Sequence, residues 1–227
     1  MSVRPSKALL CLHGTGSKAS IFRLQLAKIR LALKDEFEFV FMDAPYPVPA
    51  GPGVLPIFAS AAPFYGWFGG SGATIEDRLD TINESVRESV ERWEASQRTG
   101  GAGPAPRIVG LLAFSEGALV ASMLVWQRQL GRLAWLPHIR FAVLICCFFP
   151  DEAGSHMMAD GGTLIRVPTL HLHGRQDFCL ARARKLVREH YEPAAATVLE
   201  FEGGHQVPTR TVDCREAVKH IIKLSKI

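Results

Sequence analysis

Arg107-Ile-Val-Gly-Leu-Leu-Ala-Phe-Ser115-Glu-Gly-Ala-Leu-Val-Ala121 is the stretch that decides how this chain is read. Its first half is a continuous apolar run, the pattern of a strand buried on both faces. From Glu116 to Leu130 the spacing turns helical, so strand gives way to helix at Ser115. Ala113 and Gly117 stand two residues to either side of it, a form of the G-x-S-x-G turn. In that turn a serine takes strained backbone angles and lifts its hydroxyl above the sheet edge. Alanine replaces the first glycine, and its methyl crowds the turn slightly. The plainer alternative makes Ser115 a simple N-cap of the following helix.

Outward from this turn the chain alternates strands and helices. Apolar, β-rich runs at Lys7–Leu12, Phe37–Met42, Phe141–Phe148, Pro168–His173 and Thr197–Phe201 join Arg107–Leu112 as six strand candidates. Ile75, Leu79, Ile82, Val86, Val90 and Trp93 form one apolar helical stripe, with Thr74 and Asp77 as a capping box. Ser20–Leu33, Leu180–Tyr191 and Asp213–Ser225 are further helix candidates. Alternation of this kind predicts an α/β fold, a mostly parallel, doubly wound sheet of about six strands covered on both faces. The 227 residues fit a single domain. One insertion, residues 44–73, breaks the rhythm. It is rich in proline, glycine and aromatic residues, reads as structureless, and is expected to serve as a lid or substrate-binding segment. Within it Phe64, Tyr65, Trp67 and Phe68 are the residues expected to pack against an apolar ligand and exclude water. A well-packed surface loop is the blander possibility. Gln97–Pro106 reads as a connector.

A serine hydroxyl is a poor nucleophile until a base takes its proton and an acid orients that base. The hydrolase order is Ser, then Asp or Glu, then His. Of the histidines after Ser115, His205 follows the last strand in Glu-Gly-Gly-His, where glycines free the loop to bring an imidazole over the turn. His171, His173, His190 and His220 lie on strands or helices and read as structural, while His138 and His156 stay open. Asp177 follows the strand ending at His173, at the carboxyl edge where catalytic groups gather in open α/β sheets. Asp151 competes for the same role, and Asp160 is a weaker alternative. For an oxyanion, the expected donors are the backbone N–H groups of Glu116 and of Thr15, in Leu12-His-Gly-Thr-Gly16. Neither G-x-G-x-x-G nor the P-loop pattern occurs, and His171-x-His173 lacks further ligands at metal spacing, so no cofactor and no metal is expected.

Composition narrows the partners. Hydrophobic residues are 48%, charged residues 21% and the formal net charge is +4. Lys and Arg are scattered, which argues against nucleic acid. Five cysteines without a CxxC suggest a reduced, cytoplasmic setting. The early apolar stretch Ala8–Leu12 is too short for a signal-peptide core, and Phe141–Pro150 is about half a membrane span, so no membrane association is expected.

Leu12-His-Gly-Thr-Gly, Asp43-Ala-Pro, Ala113-Phe-Ser-Glu-Gly-Ala, His171-Leu-His-Gly-Arg-Gln-Asp and Gly204-His205, in this order from Ala8 to Ile222, resemble the fungal FSH group of serine hydrolases. Gly51-Pro-Gly-Val-Leu-Pro and Ala183-Arg-Lys-Leu are similar to the stand-alone thioesterases encoded beside fungal polyketide synthases. The resemblance implies an α/β-hydrolase fold and a triad of Ser115, Asp177 and His205. It also implies hydrolysis of an acyl thioester or ester, with the acyl carrier protein of a polyketide synthase as a partner. The group's usual elbow, Gly-Phe-Ser-Gln-Gly, is here Ala-Phe-Ser-Glu-Gly, which sets a carboxylate beside the nucleophile at a helix N-terminus that favours negative charge. Arg182, Arg184, Lys185 and Arg188 form a basic helix face, readable as an ordinary solvated face or as a dock for an acidic carrier. The competing readings are a general carboxylesterase and a non-catalytic ligand-binding protein on the same fold.

Overall fold

A computed structural model of the chain describes residues 5–69, 74–98, 105–159 and 162–227. Asp160, two of the insertion's glycines (Gly70 and Gly72) and most of the expected connector lie outside the described residues. In chain order the elements are β1 (Lys7–Leu12), α1 (Ala19–Gln25), α2 (Ala27–Ala32), β2 (Phe37–Met42), β3 (Tyr46–Val48), β4 (Phe64–Gly66), α3 (Ile75–Arg98) and β5 (Arg107–Phe114). They continue with α4 (Glu116–Gln129), β6 (Phe141–Ile145), α5 (Asp151–Ala159), β7 (Thr169–Gly174), α6 (Leu180–His190), β8 (Ala196–Phe201) and α7 (Thr211–Leu224).

Six strands form one parallel sheet in the order β2-β1-β5-β6-β7-β8. The chain builds β2 on one side of β1, then crosses to β5 on the other. β1 and β5 are thus the neighbours at which the winding reverses, and their following loops diverge to leave a crevice at the carboxyl edge.

Strand side chains alternate between two apolar layers, as a two-fold period requires. Ala8, Leu10 and Leu12 face one layer with Leu111, Ala113, Ala142 and Leu144, against α3, α4, α5 and α6. Leu9 and Cys11 face the other with Leu112, Val143, Ile145, Leu170 and Leu172, against α1, α2 and α7. Helix α4 is buried almost all round, which explains why it carries apolar residues on every side rather than in a stripe.

Three local expectations change, and one helix, α5, was not expected. The helix expected over Ser20–Leu33 is two, broken at Leu26, so that Phe22, Leu26, Ile29 and Leu33 all reach the same layer. The strand expected to reach Phe148 ends at Ile145, because Cys146 takes a left-handed φ of 51° and turns the chain out of the sheet. Helix α5 had no visible stripe; only Ala153 and Met157 are buried among its described side chains. The insertion is not structureless: β3 and β4 pair as an antiparallel ribbon, with a 3-10 turn at Ala59–Ala61 between them in the chain. Among the described residues, no helix is long and apolar enough to cross a membrane.

Candidate active site

Ser115 sits between β5 and α4 with φ 54° and ψ −121°, a conformation that costs a non-glycine residue of order 1–3 kcal/mol and persists only where the surroundings hold it. They do so here through its N–H, which donates to Ile145 O at 2.9 Å on the neighbouring strand. Gly117 is fixed by proximity: a Cβ there would lie 2.4 Å from the carbonyl oxygens of both Leu12 and His13. The glycine lets α4 start against the end of β1. Ala113, at the other small position, is wholly buried in the core.

The side chains of three separate loops meet at Ser115. Its hydroxyl lies 2.8 Å from His205 Nε2, and His205 Nδ1 lies 2.9 and 3.0 Å from the two Asp177 oxygens. An ionised carboxylate only accepts hydrogen bonds, so Nδ1 carries the proton and Nε2 is left to accept from the serine. The Asp177 side chain is almost wholly buried, and its Oδ1 also accepts from Cys179 N–H at 2.8 Å. His205 is held among aromatic rings, with Phe178 at 4.8 Å, Phe114 at 5.2 Å and Phe148 at 6.3 Å between centroids. Phe178 itself is exposed.

Cys146, the second left-handed residue, is also here. Its Sγ, an Asp177 oxygen and a His205 nitrogen lie within 4.8 Å of one another. Sulfur, carboxylate and imidazole make a zinc-type donor set. Asp177 and His205 are bonded to each other, however, and burial holds the Cys146 thiol far above its ordinary pKa, as a weak donor facing Gln206 O at 3.5 Å.

The loop after β1 passes against the serine: a Cβ on Gly14 would lie 3.1 Å from Ser115 Cβ. Glu116 opens α4, so its N–H has no partner within the helix. His13, fully buried, fixes the loop with both ring nitrogens: Nδ1–H donates to Gly14 O at 2.7 Å, and Nε2 accepts from Ala44 N–H at 3.0 Å. Burial holds its pKa below the ordinary histidine value, in keeping with the neutral ring this pattern needs. The insertion is sewn to the same loop. Gly51 N–H donates to Gly16 O at 2.9 Å, and Ser17 and Tyr65 exchange backbone bonds at 2.8 and 3.3 Å. A Cβ on Gly16, whose φ is 64°, would fall 2.0 Å from Gly51 N.

A cavity of about 190 Å³ opens beside Ser115, walled by Phe68, Ile75, Leu119, Phe148, Pro150 and Ala153, with Thr15, Glu116, Arg78 and Glu152 as its polar members. Of the four aromatic residues expected at a ligand, it takes Phe68. Phe64 packs on Ile21 and Val54, and Tyr65 is half-buried on the ribbon. Trp67 is wholly buried, donating from Nε1 to His13 O at 2.7 Å. Asp151 opens α5. His156 pairs with Glu76, and His171 is a core residue bonded to Thr169 Oγ1, its pKa pushed down to about 3 by burial. On the basic helix face, Arg184 pairs with Glu200, Lys185 and Arg188 lie by Glu189, and Arg182 covers the Phe148 ring while donating to Phe149 O.

His13, Phe148, Phe178 and Cys146 were not singled out from sequence for the site. Phe178 had a signal, being next to Asp177. The other three had none, because the side chains and loops they meet at the site are far away along the chain.

A model of the family described as Serine hydrolase (FSH1) matches residues 1–217. Esterase mlcF of Penicillium citrinum is 47% identical, over 97% of this chain and 91% of its own length. A dihydromonacolin L-[lovastatin nonaketide synthase] thioesterase of Aspergillus terreus is 41% identical, over 98% and 93% respectively. Among solved structures, esterase PE8 superposes with a TM-score of 0.59 at 19% identity, over 98% of this chain and 94% of that one, a likeness of fold.

Proposed function

Because the chain belongs to the FSH1 family of serine hydrolases, we propose that it cleaves an acyl thioester through a covalent acyl-serine, releasing a polyketide-type acyl chain from an acyl carrier protein. The observation that carries the catalytic half is the continuous hydrogen-bond chain Ser115–His205–Asp177. The relative named as a synthase thioesterase supports the substrate half.

His205 Nε2 takes the Ser115 proton as Oγ adds to the thioester carbonyl. The N–H groups of Glu116 and Thr15 receive the oxyanion, each such donor being worth about 3–4 kcal/mol in the transition state. Collapse of the intermediate expels the thiolate, which leaves with the proton from His205. Water then repeats the sequence on the acyl-serine and releases a carboxylic acid. Asp177 holds the Nδ1–H tautomer and stabilises the imidazolium throughout. At about 190 Å³ the cavity is below the roughly 300–1,000 Å³ of most small-molecule pockets. It therefore takes the part of the acyl chain near the carbonyl, and the remainder extends past the exposed Phe178. The insertion, tied to the β1 loop by backbone bonds, acts as a fixed wall that presents Phe68.

The test is intact mass after fluorophosphonate treatment of wild type and Ser115→Ala, followed by turnover of one acyl group offered as carrier-bound thioester, free thioester and oxygen ester. One adduct lost in the variant, with the carrier-bound thioester turned over fastest, is expected. Equal turnover of all three would favour a general esterase, and no adduct on folded wild type would overturn the hydrolase reading.

A further inference from the structure

Three segments that are remote in sequence converge on one side chain beside the nucleophile. Glu116 Oε2 accepts the Trp67 N–H at 2.9 Å. The Thr15 hydroxyl and the Phe68 N–H lie beside the same carboxylate and favour its charged form. The fit is close: a Cβ on Gly66 would lie 3.0 Å from Thr15 Oγ1 and 3.3 Å from Glu116 Oε2. Thr15 belongs to the loop after β1, Trp67 and Phe68 to the end of the insertion, and Glu116 to the first turn of α4. We propose that the Glu116 side chain is a positioning residue, a clasp whose acceptor oxygens hold the oxyanion loop and the Phe68 wall in register with Ser115. This inference rests on the hydrolase reading above and assigns to the side chain a role separate from that of its backbone N–H.

The chemistry of the clasp is acceptance, not charge. The Trp67 N–H that it binds and the Phe68 N–H beside it are backbone groups, which need an oxygen. The Thr15 group is a hydroxyl, which either donates or accepts. A glutamine in this place satisfies the same set: its oxygen accepts both amides, and its NH₂ donates to Thr15 Oγ1. An apolar side chain of similar size leaves the Trp67 N–H without its acceptor and frees the loop. Burial raises the Glu116 pKa, and the three donors oppose that rise, as expected for a group that serves by its oxygens in a half-dry wall.

The experiment compares Glu116→Leu, Glu116→Gln and Thr15→Val in the full chain, using a p-nitrophenyl acyl ester, thermal melts and the rate of fluorophosphonate labelling. Glu116→Leu is expected to lower kcat about 10- to 100-fold with KM changed less than about threefold, since a displaced oxyanion donor costs up to the 10²–10³ of a deleted one. Glu116→Gln is expected to restore kcat to within a few-fold of wild type. Thr15→Val is expected to lower kcat less than Glu116→Leu does, and the double variant to fall short of the product of the two single effects, because they break one contact. Thr15→Val with the wild-type partner carries the test should Glu116→Leu fail to fold. Wild-type kcat in Glu116→Leu would reduce the side chain to a filler, and failure of Glu116→Gln to rescue would make charge the operative property; either overturns the clasp. If Ser115 labels normally in wild type while those results appear, only the clasp falls. If wild type does not label, the hydrolase reading falls with it.

Discussion

Trp67→Phe separates two roles for the insertion's aromatic residues. The indole is wholly buried, its Nε1 donates to His13 O at 2.7 Å, and its ring lies 5.6 Å from the His13 ring. Phenylalanine keeps an aromatic ring against His13 and loses the donor. The His13 carbonyl then has no replacement partner in a dry site, which costs about 1–3 kcal/mol. The volume once filled by the larger ring costs roughly another 1 kcal/mol. The sum, about 2–4 kcal/mol, corresponds in a chain of this size to a fall in Tm of about 5–15 °C. Because His13 orders the loop that carries Thr15, kcat on a p-nitrophenyl ester is expected to fall with it, while the ranking of acyl chain lengths stays as in wild type. Thermal melts and a chain-length series on the same preparation read both. A Tm within about 2 °C of wild type together with a changed chain-length ranking would refute this reasoning and make Trp67 a contact of the acyl chain.

Asp177→Asn keeps the shape of the acid but favours the wrong imidazole tautomer, and is expected to cut kcat by about 10³–10⁴ with KM little changed; a loss below tenfold in steady-state kinetics would deny Asp177 its role. Gly117→Ala forces a methyl against two carbonyl oxygens at 2.4 Å and is expected to destabilise the fold by at least about 1–3 kcal/mol, measured by urea unfolding; wild-type stability would mean that α4 starts elsewhere. His171, with its pKa pushed down to about 3, binds fewer protons folded than unfolded once the pH drops below about 6.5, so its stabilisation is complete above that value and is lost as pH falls toward 3. Between pH 7 and pH 5 wild type is expected to lose about 2 kcal/mol more than His171→Asn does; equal losses in paired urea titrations would contradict the depressed pKa.

How much of this was legible in the sequence follows from the range of the contacts involved. The sheet strands showed themselves because burial, on both faces for the inner strands, writes a short, largely apolar run into five to eight consecutive residues. Ser115, Asp177 and His205 could be picked out because each stands just past such a run, so local pattern alone put them at the same sheet edge. Trp67 could not be placed in this way. Its partner His13 is 54 positions away, and an aromatic residue in a Pro/Gly-rich loop looks the same whether it faces a ligand or the core. Cys146 was hidden for a related reason: inside Phe-Ala-Val-Leu-Ile-Cys-Cys-Phe-Phe nothing marks the residue at which φ turns positive. Helix α5 shows too few buried side chains to form a stripe.

The topology explains why so few residues suffice to build the site. β1 and β5 are adjacent, so the loop carrying Thr15 and the turn carrying Ser115 leave the sheet side by side. β7 and β8 are likewise adjacent, so Asp177 and His205 leave it as a second pair. A single strand, β6, separates the pairs, and it must end early for His205 to reach across to Ser115. The left-handed turn at Cys146 ends it, one residue after Ile145 accepts the Ser115 N–H. Backbone pairing thus sets the distance between the nucleophile and its base, while the side chains of His13, Trp67 and Glu116 set the orientation of the loop above them. Substitutions in the first group, and of the wholly buried Trp67, are expected to act on folding and activity together, and those of the Glu116 side chain chiefly on kcat; a Glu116→Leu protein with wild-type Tm and lowered kcat would separate the two.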